Sequence, residues 1–189
     1  KLMWTRTKTL YLLLPIILIL VAAPSIAAQD DNRLSALFDA LKLAPNPSAA
    51  KGVEDRIWDI WLFNGNARID HRMREGIVAM SAGDYPTALR AFEYIVREAP
   101  EFAEGWNKRA TVYYLMNDFK QSIGDIKRTL ALEPRHFGAI SGLGLIYLEL
   151  HDGASALEAF QRVLKIHPFI AGTRTQVEIL RHQFGGKAI

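Results

Sequence analysis

The stretch "GAISGLGLIY" at residues 138–147 has the composition of a loop that could cradle a phosphate. Such a loop works when it joins a strand to a helix and carries a third spaced glycine or a Gly-Lys-Ser/Thr ending. Here Tyr147 and Leu148 follow, and an apolar pattern of helical period runs on to Leu150, so the stretch reads as helix interior and not as a nucleotide site. The five histidines, His71, His136, His151, His167 and His182, include no pair at i, i+4 and no H-E-x-x-H, the spacing that would put two imidazoles on one helical face toward a metal. There is no G-x-S-x-G elbow for a serine nucleophile. Without any cysteine, the chain has neither a thiol nucleophile nor a thiolate metal site. Its carboxylates are scattered and do not converge. The expectation is a protein with no catalytic residue, no metal and no cofactor, whose work is binding.

Charge narrows the partner. The formal net charge of +3 comes from Lys1, Arg6 and Lys8; from Gln29 onward, basic and acidic residues balance. A balanced chain has no electrostatic footprint for nucleic acid, and "WNKRATVYY" at 106–114 holds too few clustered cations to supply one. Residues 1–28 combine the basic start with an apolar run from Leu10 to Ala23 and the small-residue ending "PSIAAQD". This is the pattern of a secretory signal peptide, cleaved after Ala27 or Ala28. The run is shorter than a membrane span, which needs about 20 apolar residues. An uncleaved anchor, which would make the protein a membrane-tethered envelope assembly factor, stays open as the alternative. The expected location is outside the cytoplasm, in a bacterial periplasm.

The elements that must position any binding residues are repetitive. Pro100, Pro134 and Pro168 are evenly spaced, and Gly83, Asn117 and His151 recur at the same interval in the turn-like "GDY", "NDF" and "HDG". A fixed period of about 20–50 residues marks a repeat architecture. "TALRAFEYIVREAP" and "SALEAFQRVLKIHP" show the same apolar stripe, Leu89, Phe92, Ile95 and Val96 in one and Leu157, Phe160, Val163 and Leu164 in the other, each stopped by proline. The third unit reads Ile140, Leu143, Gly144, Tyr147, Ala156, Phe160, Pro168; the second Trp106, Arg109, Ala110, Tyr113, Ser122, Ile126, Pro134; the first Arg72, Glu75, Gly76, Ala79, Ala88, Phe92, Pro100. This pattern resembles the tetratricopeptide repeat.

The resemblance implies an all-α fold, a right-handed superhelical array of helix–turn–helix repeats. It divides the chain into repeats at 69–102, 103–136 and 137–170, preceded by a helical segment at 29–67 that reads as a possible divergent repeat, with Trp58 and Trp61 covering the apolar face of repeat one; the alternative is that this amphipathic helix binds a partner or a membrane surface, with Glu54, Asp55 and Asp59 opposing an anionic membrane. Residues 171–189 form a capping helix, with Val177, Ile179, Leu180 and Phe184 among polar residues, and a tail. Gly144 becomes the place where one helix meets its partner closely; Gly138 and Gly142 leave room on a face of the same helix. Trp106 and Tyr113 occupy slots that the pattern assigns to the core.

Function follows from the same resemblance: such arrays bind proteins or peptides along a concave face. The expected groove is lined by Met73, Ile77 and Met80, then Asn107, Thr111 and Tyr114, then Ser141, Leu145 and Leu148. The alternative is that the N-terminal segment already covers part of it. Lys and Asn slots that grip a C-terminal carboxylate in some relatives hold Met73 and Ile77 here, so that activity does not carry over. One further expectation concerns Glu75 and Arg109, in equivalent slots of adjacent repeats: either they pair with each other across the repeat boundary, or each finds another partner such as Asp84 or Asp125.

Overall fold

The computed structural model describes residues 28–184. Among these residues are a 3-10 turn at Ala28–Asp30, nine α-helices and no strand. The helices are α1 Arg33–Lys42, α2 Pro47–Trp61, α3 Ala67–Ser81, α4 Tyr85–Glu98, α5 Ala103–Leu115, α6 Phe119–Leu132, α7 Phe137–Glu149, α8 Gly153–Ile166 and α9 Thr173–Phe184. The signal-peptide expectation, but for Ala28, and the "GGKAI" tail lie outside the described residues.

Three acidic residues set the repeat. Asp84, Asp118 and Asp152 recur at the interval of the prolines, and each carboxylate accepts the backbone N–H of the residue three positions on, capping α4, α6 and α8. Each also donates its own N–H back into the preceding helix, to Ala79, Tyr113 and Tyr147 respectively. The residue before each aspartate, Gly83, Asn117 or His151, takes a left-handed conformation, with φ of 77°, 60° and 59°. This geometry closes one helix C-terminus and opens the next helix with almost no intervening chain. It gives the hairpins α3–α4, α5–α6 and α7–α8, stacked in order, with α9 against α8.

Packing inside each hairpin is set by one pair, a small residue on the first helix facing a larger one on the second. A Cβ on Gly144 would sit 2.7 Å from the Phe160 ring, and one on Gly76 would sit 2.5 Å from Phe92. In the middle repeat the pair is Ala110 and Ile126, the first larger than glycine and the second smaller than phenylalanine, both buried. The units are fastened to one another through carbonyls that proline leaves at the end of each hairpin. Arg128 donates to the Pro100 carbonyl and Arg162 to that of Pro134; the Trp106 indole and Arg174 donate to Pro100 and Pro168. Trp106 and Tyr113 are only half-buried, which corrects their assignment to the core. Trp106 lies under the Arg109 and Arg128 guanidiniums instead.

The segment before repeat one does not stack as a fourth unit. Leu34, Phe38, Leu41, Ile57 and Trp61 of α1–α2 share one buried cluster with Phe137 and Ile140 of α7 and Ala159 and Val163 of α8. The hairpin therefore folds back onto repeat three. Stacking needs a small residue where the incoming helix crosses, and repeats two and three supply Gly105 and Ala139, both buried; the equivalent in repeat one is His71, exposed. Val112 and Ile146 are fully buried while their counterpart Val78 is 69% exposed. Trp58 and Trp61 thus cover repeats two and three, not the apolar face of repeat one.

Candidate partner-binding face

The expected groove residues lie on one stripe of each first helix. On α5 the stripe runs from Glu104 through Asn107 and Thr111 to Tyr114; on α7 it runs from Gly138 through Ser141 and Leu145 to Leu148; on α3 it holds Met73, Ile77 and Met80. Steps of one helical turn keep each set on one face. The stripe is closed at its N-terminal turns and open at its C-terminal turns. Met73, 2% exposed, is core, packed in a cluster that includes Ile69 and Ala28. Asn107, 7% exposed, donates to Glu104. These two residues do not line an open face, and their assignment to the groove is corrected accordingly. Ile77, Met80, Thr111, Tyr114, Ser141 and Leu148 are half-buried, and Leu145 is 41% exposed.

What covers the closed end is the N-terminal segment. Gln29 spans the α4–α5 connection, donating to the Glu101 carbonyl and accepting from the Ala103 N–H. The Trp58 ring fills the space over Gly138, where a Cβ would come within 2.7 Å of it. Gly138, unlike Gly142, whose nearest neighbour is an ordinary contact with Ile126, is therefore explained by a ring and not by a ligand. The Trp61 indole stacks on His136 at 4.0 Å and 9°.

Beneath the two tryptophans lies a buried polar network. His136 caps α7: its Nδ1 accepts the Ala139 N–H at 3.1 Å, so the proton sits on Nε2, which donates to Glu104 Oε2 at 2.8 Å. Lys108 stands 3.1 Å from the other Glu104 oxygen and lies over the Trp58 ring. Burial raises the Glu104 carboxyl most strongly of all influences, but Lys108 and the His136 bond together outweigh it and hold the group below its usual range. A second contact ties the hairpin to the far end: His167, which caps through Nδ1 to the Phe169 N–H, faces Glu54 at 3.4 Å. Desolvation pushes His167 below the ordinary imidazole range, with Glu54 offsetting part of it. Glu54 also accepts the Trp58 indole N–H. Sequence reasoning passed over Glu104, Lys108 and Gly138 as binding-face residues; the room that Gly138 was read to leave on α7 is the space the Trp58 ring occupies.

The Glu75–Arg109 pair does not form. Glu75 pairs with Arg72 one turn away at 2.7 Å, and Arg109 forks onto Asp125 at 2.7 and 2.8 Å.

An all-helical array of stacked hairpins with an apolar, partly open stripe along its first helices defines an α-solenoid. The tetratricopeptide repeat family matches at residues 73–120 and 107–169, and the chain belongs to that family. It is 31% identical over 168 residues to a TPR repeat-containing protein of Rhizobium etli, covering 89% of this chain and 82% of that one. The first TPR domain of Spaghetti (RPAP3), solved bound to an HSP90 peptide, superimposes with a TM-score of 0.59 at 18% identity over 63% of this chain and 94% of that one. MamA superimposes with a TM-score of 0.55 at 18% identity over 83% and 84% of the two chains. Proteins of this family commonly bind protein partners.

Proposed function

We propose that this chain is an exported, non-enzymatic adaptor that binds a protein or peptide partner along the open end of its stripe. The observation that carries the reading is the half-open row Ile77, Met80, Thr111, Tyr114, Leu145 and Leu148, mostly apolar and facing one way, with Leu145 41% exposed. Methionine and leucine make an adaptable surface for an apolar ligand. The HSP90 peptide held by the Spaghetti domain supports the reading that this architecture takes a peptide. The basic start and the apolar run from Leu10 to Ala23 support export.

The test is crosslinking and pull-down from the cell envelope with the full chain, against Ile77→Glu with Leu145→Glu. Loss of the co-purifying protein in the double variant, with the helical circular dichroism unchanged, is the expected result; full retention rejects the open stripe as the binding face. N-terminal sequencing of the protein from a periplasmic extract, expected to start at Ala28 or Gln29, checks export.

A further inference from the structure

We infer that the first turns of α5 and α7 form a helix-binding cradle, and that α2 is its built-in occupant. The cradle accepts in trans a partner helix of the same chemistry: acidic, with two aromatics one turn apart and a carboxylate one turn before the first. This deepens the adaptor reading above and rests on it.

The chemistry is read from what α2 presents. Trp58 fills the slot over Gly138, Trp61 stacks flat on His136, and Glu54 meets His167 while holding the Trp58 indole in place. Lys108 adds a cation over the Trp58 ring, and Arg135 places another 4.3 Å over Phe38 of α1. The two segments carry opposite charge overall, and Lys108 and Arg135 are the cations of repeat two that reach the hairpin. Residues 30–59 carry Asp30, Asp31, Asp39, Glu54, Asp55 and Asp59 against four basic residues; repeat two, 103–136, carries Lys108, Arg109, Lys120, Lys127, Arg128 and Arg135 against four acidic ones. A foreign helix of acidic, aromatic character meets the same field.

The cis fit is incomplete. Ser141 Oγ on the α7 stripe and Trp61 Nε1 are both buried without a hydrogen-bond partner, and a buried polar atom left unpaired disfavours the closed arrangement. The Glu54–His167 contact, at 3.4 Å, is long. A ligand that gives Ser141 a partner gains what α2 does not supply. In the connector 62–66 the Asn64 N–H is held by Asp70 of α3, so the joint at which the hairpin can swing out lies ahead of it, at Leu62 and the exposed Phe63, while α3 keeps its Asn66 cap. Such sub-global opening is an ordinary property of folded domains.

The experiment uses a fluorescent peptide of residues 44–63 and the full chain. The peptide is expected to bind a Trp58→Ala chain at least tenfold more tightly than the unmodified chain. Adding Gly138→Leu, which fills the slot, abolishes that binding, and so does replacing both tryptophans of the peptide by alanine. Equal affinity for the Trp58→Ala and unmodified chains, or binding indifferent to Gly138→Leu, overturns the inference. If Trp58→Ala unfolds the chain, hydrogen exchange on the unmodified protein decides. Exchange of α2 amides at least tenfold faster than those of α5 and α7 supports a displaceable occupant; exchange at the same rate overturns it. The Ile77/Leu145 test reads the other end of the stripe, so failure of the cradle leaves the adaptor reading standing, and loss of the open stripe leaves the cradle result readable.

Discussion

Arg109 prefers Asp125 to Glu75 for a geometric reason. A planar guanidinium makes its best bond as a two-pronged fork onto one carboxylate, and Asp125, across the hairpin in the same repeat, accepts both prongs. Glu75 is one turn from Arg72 and exposed enough to be served locally. Asp125→Asn should therefore cost about 2 kcal/mol in urea unfolding, since it weakens a charged, largely buried fork. Glu75→Gln should change stability by less than about 0.5 kcal/mol, because its pair is exposed. A cycle of Glu75→Gln with Arg109→Met should be additive. Acid stability follows from two other groups. His167 is held below its ordinary range, so its contribution is complete above about pH 6.5, the unfolded imidazole value, and is lost as pH falls toward its folded value. Glu104, also lowered, adds a loss in the carboxylate range, as pH falls below about 4.3. Stability against pH should decline in these two ranges, and Glu104→Gln should shrink the lower loss, the rest of which belongs to carboxylates such as Asp84 and Asp152 that their cap bonds also lower. The sequence offered both Arg109 partners but could not choose between them. Spacing places residues on faces, whereas the choice between Glu75 and Asp125 rests on side-chain reach.

At the scale of elements, most of the architecture was readable. Aspartates, left-handed turn residues and prolines recur at one interval and act through the backbone close to themselves, so no tertiary knowledge is needed to place them. The Gly–Phe pairs extend this. Gly144→Ala should destabilise by about 1–3 kcal/mol, because its Cβ enters the Phe160 ring. Phe160→Ile should recover most of that loss in the Gly144→Ala background, since it recreates the Ala110/Ile126 pairing of the middle repeat. Thermal or urea unfolding of the two single variants and the double variant checks both statements. What could not be read was the direction of α1–α2. Trp58 falls in register with Phe92, one repeat period further on, which suggests stacking; His71, standing where Gly105 and Ala139 allow close approach, opposes it. The repeat pattern alone did not weigh that obstacle against the empty space over Gly138.

For the whole molecule, the fold-back changes which surface is available. The closed turns of the stripe belong to α2 in the resting chain, and the open turns remain for a partner. Trp61→Ala should cost about 3–5 kcal/mol, the range for a large aromatic deleted from a packed interior, because Trp61 is 1% exposed and joins α2 to His136 and Phe137. The same variant should leave the α5–α6 hairpin's amide protection intact under native conditions, measured by hydrogen exchange.

That fold-back also alters how the chain must assemble. An open solenoid is a row of neighbours, and its repeats can fold or fray one at a time from either end. Here Leu34 and Val163 share one interior, so the row is tied into a loop. The tie demands contacts between residues far apart in sequence, whose closure entropy slows folding, and it couples the two ends thermodynamically. Tryptophan fluorescence and far-ultraviolet circular dichroism should report one coincident unfolding transition in the unmodified chain. Phe137→Ala, which weakens the tie, should separate the two transitions and lower the denaturant dependence of each, as a closed circuit becomes an ordinary row again.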